Sequence, residues 1–178
     1  MKILKYTLLT IVGLIALCVV VLLALGGWRG TTHLESDVVI AKPPAQVYAW
    51  VTEPDRVKQW VSWLAEVRTV TPDLNGVGRK EVWVMDDPTM GERIEIAGEI
   101  VAADAPRLHQ AKMSMPDGFD GVITYRLTDL GGKTRLEFIS DYEYASWVAR
   151  LMSPIVTYQA QQKMTGDVAT LKRLAESD

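Results

Sequence analysis

Carboxylates are the only acid/base groups this chain carries in number, and two pairs of them fall at strand spacing. Glu95 and Glu99 lie on one face of an alternating segment, and Glu137 and Asp141 on one face of another. Paired carboxylates perform general acid/base work when burial drives their pKa values apart. Arg93 and Arg135 share those same faces, which points instead to a solvated, salt-bridged surface. His109 is a candidate base on a strand with no evident orienting partner, so it reads as a packed or surface imidazole. Tyr125, Tyr142 and Tyr158 can offer hydroxyls to a ligand head group, or bond to backbone and water instead. No residue is assigned a catalytic role.

The larger signal is apolar. Trp50, Trp60, Trp63, Trp83 and Trp147 join Met85, Met90, Met113, Met115, Met152 and Met164 in an excess of wide indoles and pliable thioethers. Such side chains suit an irregular pocket that accepts apolar ligands, although they also serve as plain core packing. The candidate cavity residues are Trp60, Trp63, Trp83, Met85, Met113, Tyr125, Phe138, Tyr142, Trp147, Leu151, Ile155 and Tyr158.

Composition removes many alternatives. The 178 residues include two histidines (His33, His109) and one cysteine (Cys18). A His/Cys metal cage is thereby excluded, as is a disulfide within one chain. No GxGxxG, P-loop, GxSxG, HExxH or CxxC sequence is present, and no cofactor is implied. Of 19 basic residues, Lys2, Lys5 and Arg29 bracket an apolar run; setting them aside leaves 16 basic against 22 acidic residues, a net of −6. A domain that acidic is a poor nucleic-acid partner, since phosphate contacts supply most of that affinity.

Something must hold these residues in place, and the chain divides in two for the purpose. From Tyr6 to Trp28, 23 residues carry no charge and 18 are apolar. As a helix, Tyr6 to Leu25 spans roughly 30 Å, the hydrocarbon thickness of a bilayer. The run is longer than the apolar stretch of a signal peptide and shows no polar stripe of the kind a soluble core helix carries. Residues 1–28 are therefore expected to form a transmembrane anchor, with a signal peptide cleaved near Ala24-Leu25-Gly26 as the alternative, 29–34 a linker and 35–178 the folded domain. Two lysines precede the helix and only Arg29 closely follows it. The positive-inside rule then leaves the N-terminus cytoplasmic and the domain extracytoplasmic.

Within the domain, Glu35–Ala41 reads as a strand that Pro43-Pro44 stops. Pro44–Val51 reads as a helix, and Val57, Trp60, Val61 and Leu64 mark the stripe of another. Strands follow at 66–71, 79–85, 92–102, 108–115, 121–128 and 134–142, with turns at 72–76, 86–91, 104–106 and 116–118 and a hairpin signal at Leu130-Gly131-Gly132-Lys133. Ile123, Tyr125 and Leu127 share one strand face, as do Leu136, Phe138, Ser140 and Tyr142. Helical period returns from Ala145 to Ala175, with Pro154 expected to bend it or cut off a short first piece. Antiparallel strands with helices at the ends are α+β. Seven strands must curl around one long helix, and two layers with a single helix seldom fill such a space fully, so a cavity is expected.

Several phrases are similar to one family. Ser36-Asp37-Val38-Val39-Ile40-Ala41-Lys42-Pro43-Pro44-Ala45-Gln46-Val47-Tyr48-Ala49-Trp50-Val51 resembles the opening strand and helix of the SRPBCC superfamily, the START-like or polyketide cyclase/dehydrase domains. Trp60 sits where that family places a tryptophan. The segments 99–108 and 167–176 resemble its proline turn and its closing helix. The likeness covers about residues 34–178, and some bacterial members carry one N-terminal membrane helix. It implies the helix-grip (START/Bet v 1-like) fold: a curved seven-stranded antiparallel sheet around a long C-terminal helix, enclosing an apolar pocket. It is nearly silent on function, because the superfamily holds carriers, receptors and enzymes.

The expected function is binding or carriage of a hydrophobic small molecule or lipid by a domain tethered to the inner (cytoplasmic) membrane and facing the periplasm. Two alternatives stand beside it. One is a cyclase, dehydratase or hydrolase acting on an apolar substrate. The other is an interaction module using an exposed apolar patch.

Overall fold

The computed structural model describes residues 2–86 and 93–178. Met90 and most of the turn expected at 86–91 lie outside the described residues. Helix α1 (Lys2–Leu22) runs into one π-helical turn (Leu23–Gly27). Strand β1 (Thr31–Ile40) leads to α2 (Pro44–Thr52) and α3 (Pro54–Trp60). Six strands follow: β2 (Leu64–Thr69), β3 (Lys80–Asp86), β4 (Arg93–Asp104), β5 (Leu108–Met115), β6 (Phe119–Asp129) and β7 (Thr134–Tyr144). Helix α4 (Trp147–Ser177) closes the chain.

The strands form one antiparallel sheet in the order β1-β7-β6-β5-β4-β3-β2. Each hairpin pairs with the next, and β1 returns to the edge beside β7. Bulges at Leu64/Glu66 and Ile100/Ala102 bend the sheet where it must wrap. Charged residues line the outer face in cross-strand pairs: Arg68 with Glu95, Lys80 with Glu99, Arg126 with Glu137 and Arg135 with Asp37. The carboxylates of the sequence pattern thus do form a solvated ion-pair surface, with partners one strand away or, for Glu95 and Arg68, across the intervening β3.

On the inner face, α4 packs along β1. The core joins Ile40, Val47, Trp50, Trp60, Leu127, Leu136 and Leu171. Trp60 is fully buried, its indole N–H donating to the Trp50 carbonyl at 2.8 Å. Pro44 and Pro54 each open a short helix, where a missing N–H costs nothing.

Three expectations need correction. The stripe ending at Leu64 does not stay helical: α3 ends at Trp60, and Leu64 is buried at the start of β2. Trp63 takes a left-handed conformation (φ 67°) to make that turn. Strand β1 begins at Thr31, so most of the stretch expected as linker already pairs with β7, from Thr31 opposite Glu143. Helix α4 runs through Pro154 without a break, so no short first piece is cut off. One missing backbone bond is tolerated in a helix held against a sheet over much of its length.

Candidate functional site

Between the sheet and α4 lies a hollow of about 190 Å³. Period-two alternation aims its wall residues inward: Trp83 and Met85 from β3, Met113 from β5, Ile123 and Tyr125 from β6, Phe138, Ser140 and Tyr142 from β7. Helix α4 supplies Ala160, Lys163, Met164 and Asp167 on one stripe. The rings interlock. Tyr125 lies 4.7 Å from Phe138 and Phe119 lies 4.8 Å from Tyr142, centroid to centroid. Gly121, opposite Tyr142 on the neighbouring strand, has no side chain because the Tyr142 ring covers its position: a Cβ there would sit 2.2 Å from Tyr142 Cδ1.

Against this apolar lining stand a few polar groups. Ser140 is fully buried and its Oγ has no hydrogen-bond partner among the described residues. Burial pushes the Tyr125 and Tyr142 hydroxyls well above the usual tyrosine range, so both stay protonated. The Ser140 hydroxyl beside Tyr142 tempers that rise without reaching hydrogen-bond geometry. Lys163 Nζ donates to Asp167 Oδ2 at 2.6 Å, and Asp167 Oδ1 accepts from the Ser62 backbone N–H at 3.1 Å. The charge pair is therefore self-neutralised at the wall and ties α4 to the α3–β2 turn.

The sequence candidates separate by place. Trp83, Met85, Met113, Tyr125, Phe138 and Tyr142 line the hollow. Trp60 stands one layer behind, edge-on to Tyr125 at 6.1 Å and to Phe138 at 6.2 Å. Trp63, Trp147, Leu151, Ile155 and Tyr158 do not line it. Trp63 lies at the surface under the Lys163 ammonium, 5.3 Å from the ring. Trp147 and Tyr158 are 75% and 68% exposed, and Ile155 also faces outward. The four α4 residues share the helical period of the chain but occupy turns before the helix reaches the hollow. Sequence reasoning missed Lys163 and Asp167 as wall residues. Their i,i+4 spacing on the stripe of Met164, Val168 and Leu171 was the available signal.

His109 belongs to a different, nearly closed hollow under α2 and α3. It stacks 6.3 Å from Tyr125 and meets Tyr48 edge-on. Desolvation, with Arg79 nearby, lowers its pKa from 6.5 to about 4. Arg79 Nη2 and Glu81 Oε1 meet at 2.5 Å in the same hollow as a mostly buried ion pair. Among the described residues there is no group of three or more His, Cys, Asp or Glu able to hold a metal ion.

Comparison with known proteins agrees with this geometry. The family model described as polyketide cyclase / dehydrase and lipid transport matches residues 31–176. Solved structures with the same fold include TTHA0849 from Thermus thermophilus, with TM-score 0.67, 17% identity, and 82% of this chain covering 97% of that one. Ara h 8.0201 aligns at TM-score 0.64 and 14% identity over 84% of this chain and 100% of its own. The di-domain ARO/CYC StfQ of the steffimycin biosynthetic pathway aligns at TM-score 0.64 and 11% identity over 83% of this chain and 51% of its own. No curated protein matches the chain. A family model spanning the whole sheet and α4, on a helix-grip framework with an apolar hollow, places this chain in the polyketide cyclase/dehydrase and lipid transport family of the SRPBCC superfamily.

Proposed function

We propose that the chain binds one small, neutral, hydrophobic molecule in the hollow between the sheet and α4, and that α1 holds this domain at a membrane. The carrying observation is an apolar cavity with a buried, unpartnered Ser140 hydroxyl on its wall. A buried hydroxyl without a partner costs free energy that a ligand oxygen would recover. The protonated Tyr125 and Tyr142 act as further donors or acceptors and not as bases.

Size narrows the ligand. About 190 Å³ is a little more than an engineered 150 Å³ hollow that accepts benzene and less than the roughly 300–1,000 Å³ of drug-sized sites. A short acyl tail or a small ring system fills it; a two-chain lipid does not. Charge narrows it further. Lys163 is already neutralised by Asp167, so a free carboxylate entering the hollow would lose hydration and gain no free cation. An alcohol, ketone or ester is the matching class.

The membrane part of the reading rests on Ile3–Leu25, a helical stretch of mean hydropathy 3.2 with none of it buried. With Lys2 before it, Lys5 in its first turn and Arg29 after it, the charge bias favours a cytoplasmic N-terminus and a periplasmic domain. Organic extraction of the purified full-length chain tests the binding reading. A neutral apolar molecule should be enriched over an Ala160→Phe variant, whose new ring fills the hollow. Equal extracts from both proteins would refute it.

A further inference from the structure

The first half of α4 carries an unpartnered apolar face. Trp147, Val148, Met152, Ile155, Val156 and Tyr158 are between 38% and 75% exposed. Val148, Met152 and Ile155 fall on one side of the helix, with Trp147 and Tyr158 flanking it. The chemistry of this stretch differs from the rest of the domain. Between Ala145 and Gly166 there is no acidic residue, and Arg150 and Lys163 are the only charges. Both charges are tied to the domain: the exposed Arg150 donates through Nε to the Tyr144 carbonyl at 2.9 Å, and Lys163 pairs with Asp167.

The place of this face says what covers it. The turn Leu23–Gly27, the last turn of the apolar N-terminal segment, packs against α4. The Arg150 stem lies over Gly30, where a Cβ would stand 2.9 Å from its Cδ. The start of α4 is thus pinned to the exit of α1. Trp28, 68% exposed, with the Arg29 guanidinium 5.4 Å from its ring, sits at the same end. Indoles and phenols at that level mark the polar boundary of a bilayer.

We infer that the first half of α4, residues 147–159, lies in the membrane–water interface beside the exit of α1, with Val148, Met152 and Ile155 among the acyl chains. This rests on the reading of α1 as a membrane span. A tether that holds the face against lipid at high effective concentration makes weak insertion sufficient. The helix then meets lipid at its first turns and lines the hollow with its next ones, through Ala160, Lys163 and Met164.

The test uses the full-length chain with Cys18→Ser, reconstituted in phosphatidylcholine/phosphatidylglycerol vesicles. Single cysteines at Val148, Ile155, Leu14 and Ala169 carry an environment-sensitive fluorophore, and doxyl-labelled lipid acts as quencher. Positions 148 and 155 should be quenched several-fold, as Leu14→Cys is, while the exposed control Ala169→Cys is not. Quenching at 14 with 148 and 155 behaving like 169 would overturn the inference and leave the span intact. Absence of quenching at 14 would overturn the span reading and this inference with it. Blue-shifted emission at 148 and 155 without lipid quenching would mean that a protein surface, such as a second copy, covers the face, and would also overturn it.

Discussion

Ser140→Ala should make the protein more stable and a worse binder. Ser140 is 0% exposed and its Oγ lacks a partner among the described residues. An unsatisfied buried hydroxyl costs about 1–3 kcal/mol, and alanine removes that penalty for the loss of one oxygen's packing. Taking the lower end, the unliganded domain gains about 1 kcal/mol. For a domain of this size that corresponds to a rise in Tm of about 3 °C. With a neutral oxygenated ligand the sign reverses. A net hydrogen bond of about 1 kcal/mol is lost, which weakens Kd about fivefold. Thermal unfolding followed by near-UV circular dichroism, with and without 1-octanol, reads both effects. Thr32→Val is the control on the same sheet. Thr32 Oγ1 is buried and paired with Thr157 Oγ1 at 2.8 Å, so its loss should destabilise by about 1 kcal/mol. A Ser140→Ala protein less stable than wild type, or one that binds octanol unchanged, would refute the assignment of Ser140 as a waiting ligand contact.

Other consequences are independent of that residue. Gly121→Ala places a Cβ 2.2 Å from Tyr142 Cδ1 and 2.5 Å from the Asp141 carbonyl; overpacking of that kind should cost about 3 kcal/mol, read by chemical denaturation, and should displace the Tyr142 ring from the wall. His109 titrates near pH 6.5 when unfolded and near 4 when folded. Between those values the unfolded chain holds the extra proton, so stability falls as pH drops, by about 3 kcal/mol across the window. His109→Phe should flatten that part of the stability–pH profile. Asp167→Asn leaves Lys163 without its neutralising carboxylate, so octanoate affinity should rise relative to octanol, measured by competition. Glu81→Ala strands the Arg79 charge beside His109 and should destabilise by about 3 kcal/mol or more, visible as a lowered denaturation midpoint.

The sheet was legible because its strands alternate with period two, most clearly with inward apolar against outward charged residues from Arg93 to Ile100. Period-two alternation also puts Tyr125, Phe138 and Tyr142 on the wall of the hollow. The α4 candidates fail for a physical reason. A single helical stripe continues from Trp147 to Leu174, but periodicity carries no information on what stands opposite each turn. The first turns face outward beside the end of α1, and only those from Ala160 onward meet the hollow. Trp63 misled because burial of a neighbour, Trp60, says nothing once the backbone turns left-handed at Trp63 itself. Lys163 and Asp167 were hidden by their charge: an acid and a base in a cavity wall look like surface residues until their pairing is seen.

The central claim is that the hollow takes a neutral apolar guest, and the methionine methyls on its wall report this directly. In full-length protein labelled at methionine methyl carbons, titration with 1-octanol should shift the Met85, Met113 and Met164 resonances to saturation at one equivalent site. Met115, which does not line the hollow, should stay in place, octanoate should act far more weakly, and Ala160→Phe should abolish the response. Wall methyls that ignore octanol, or that shift equally in Ala160→Phe, would contradict the account.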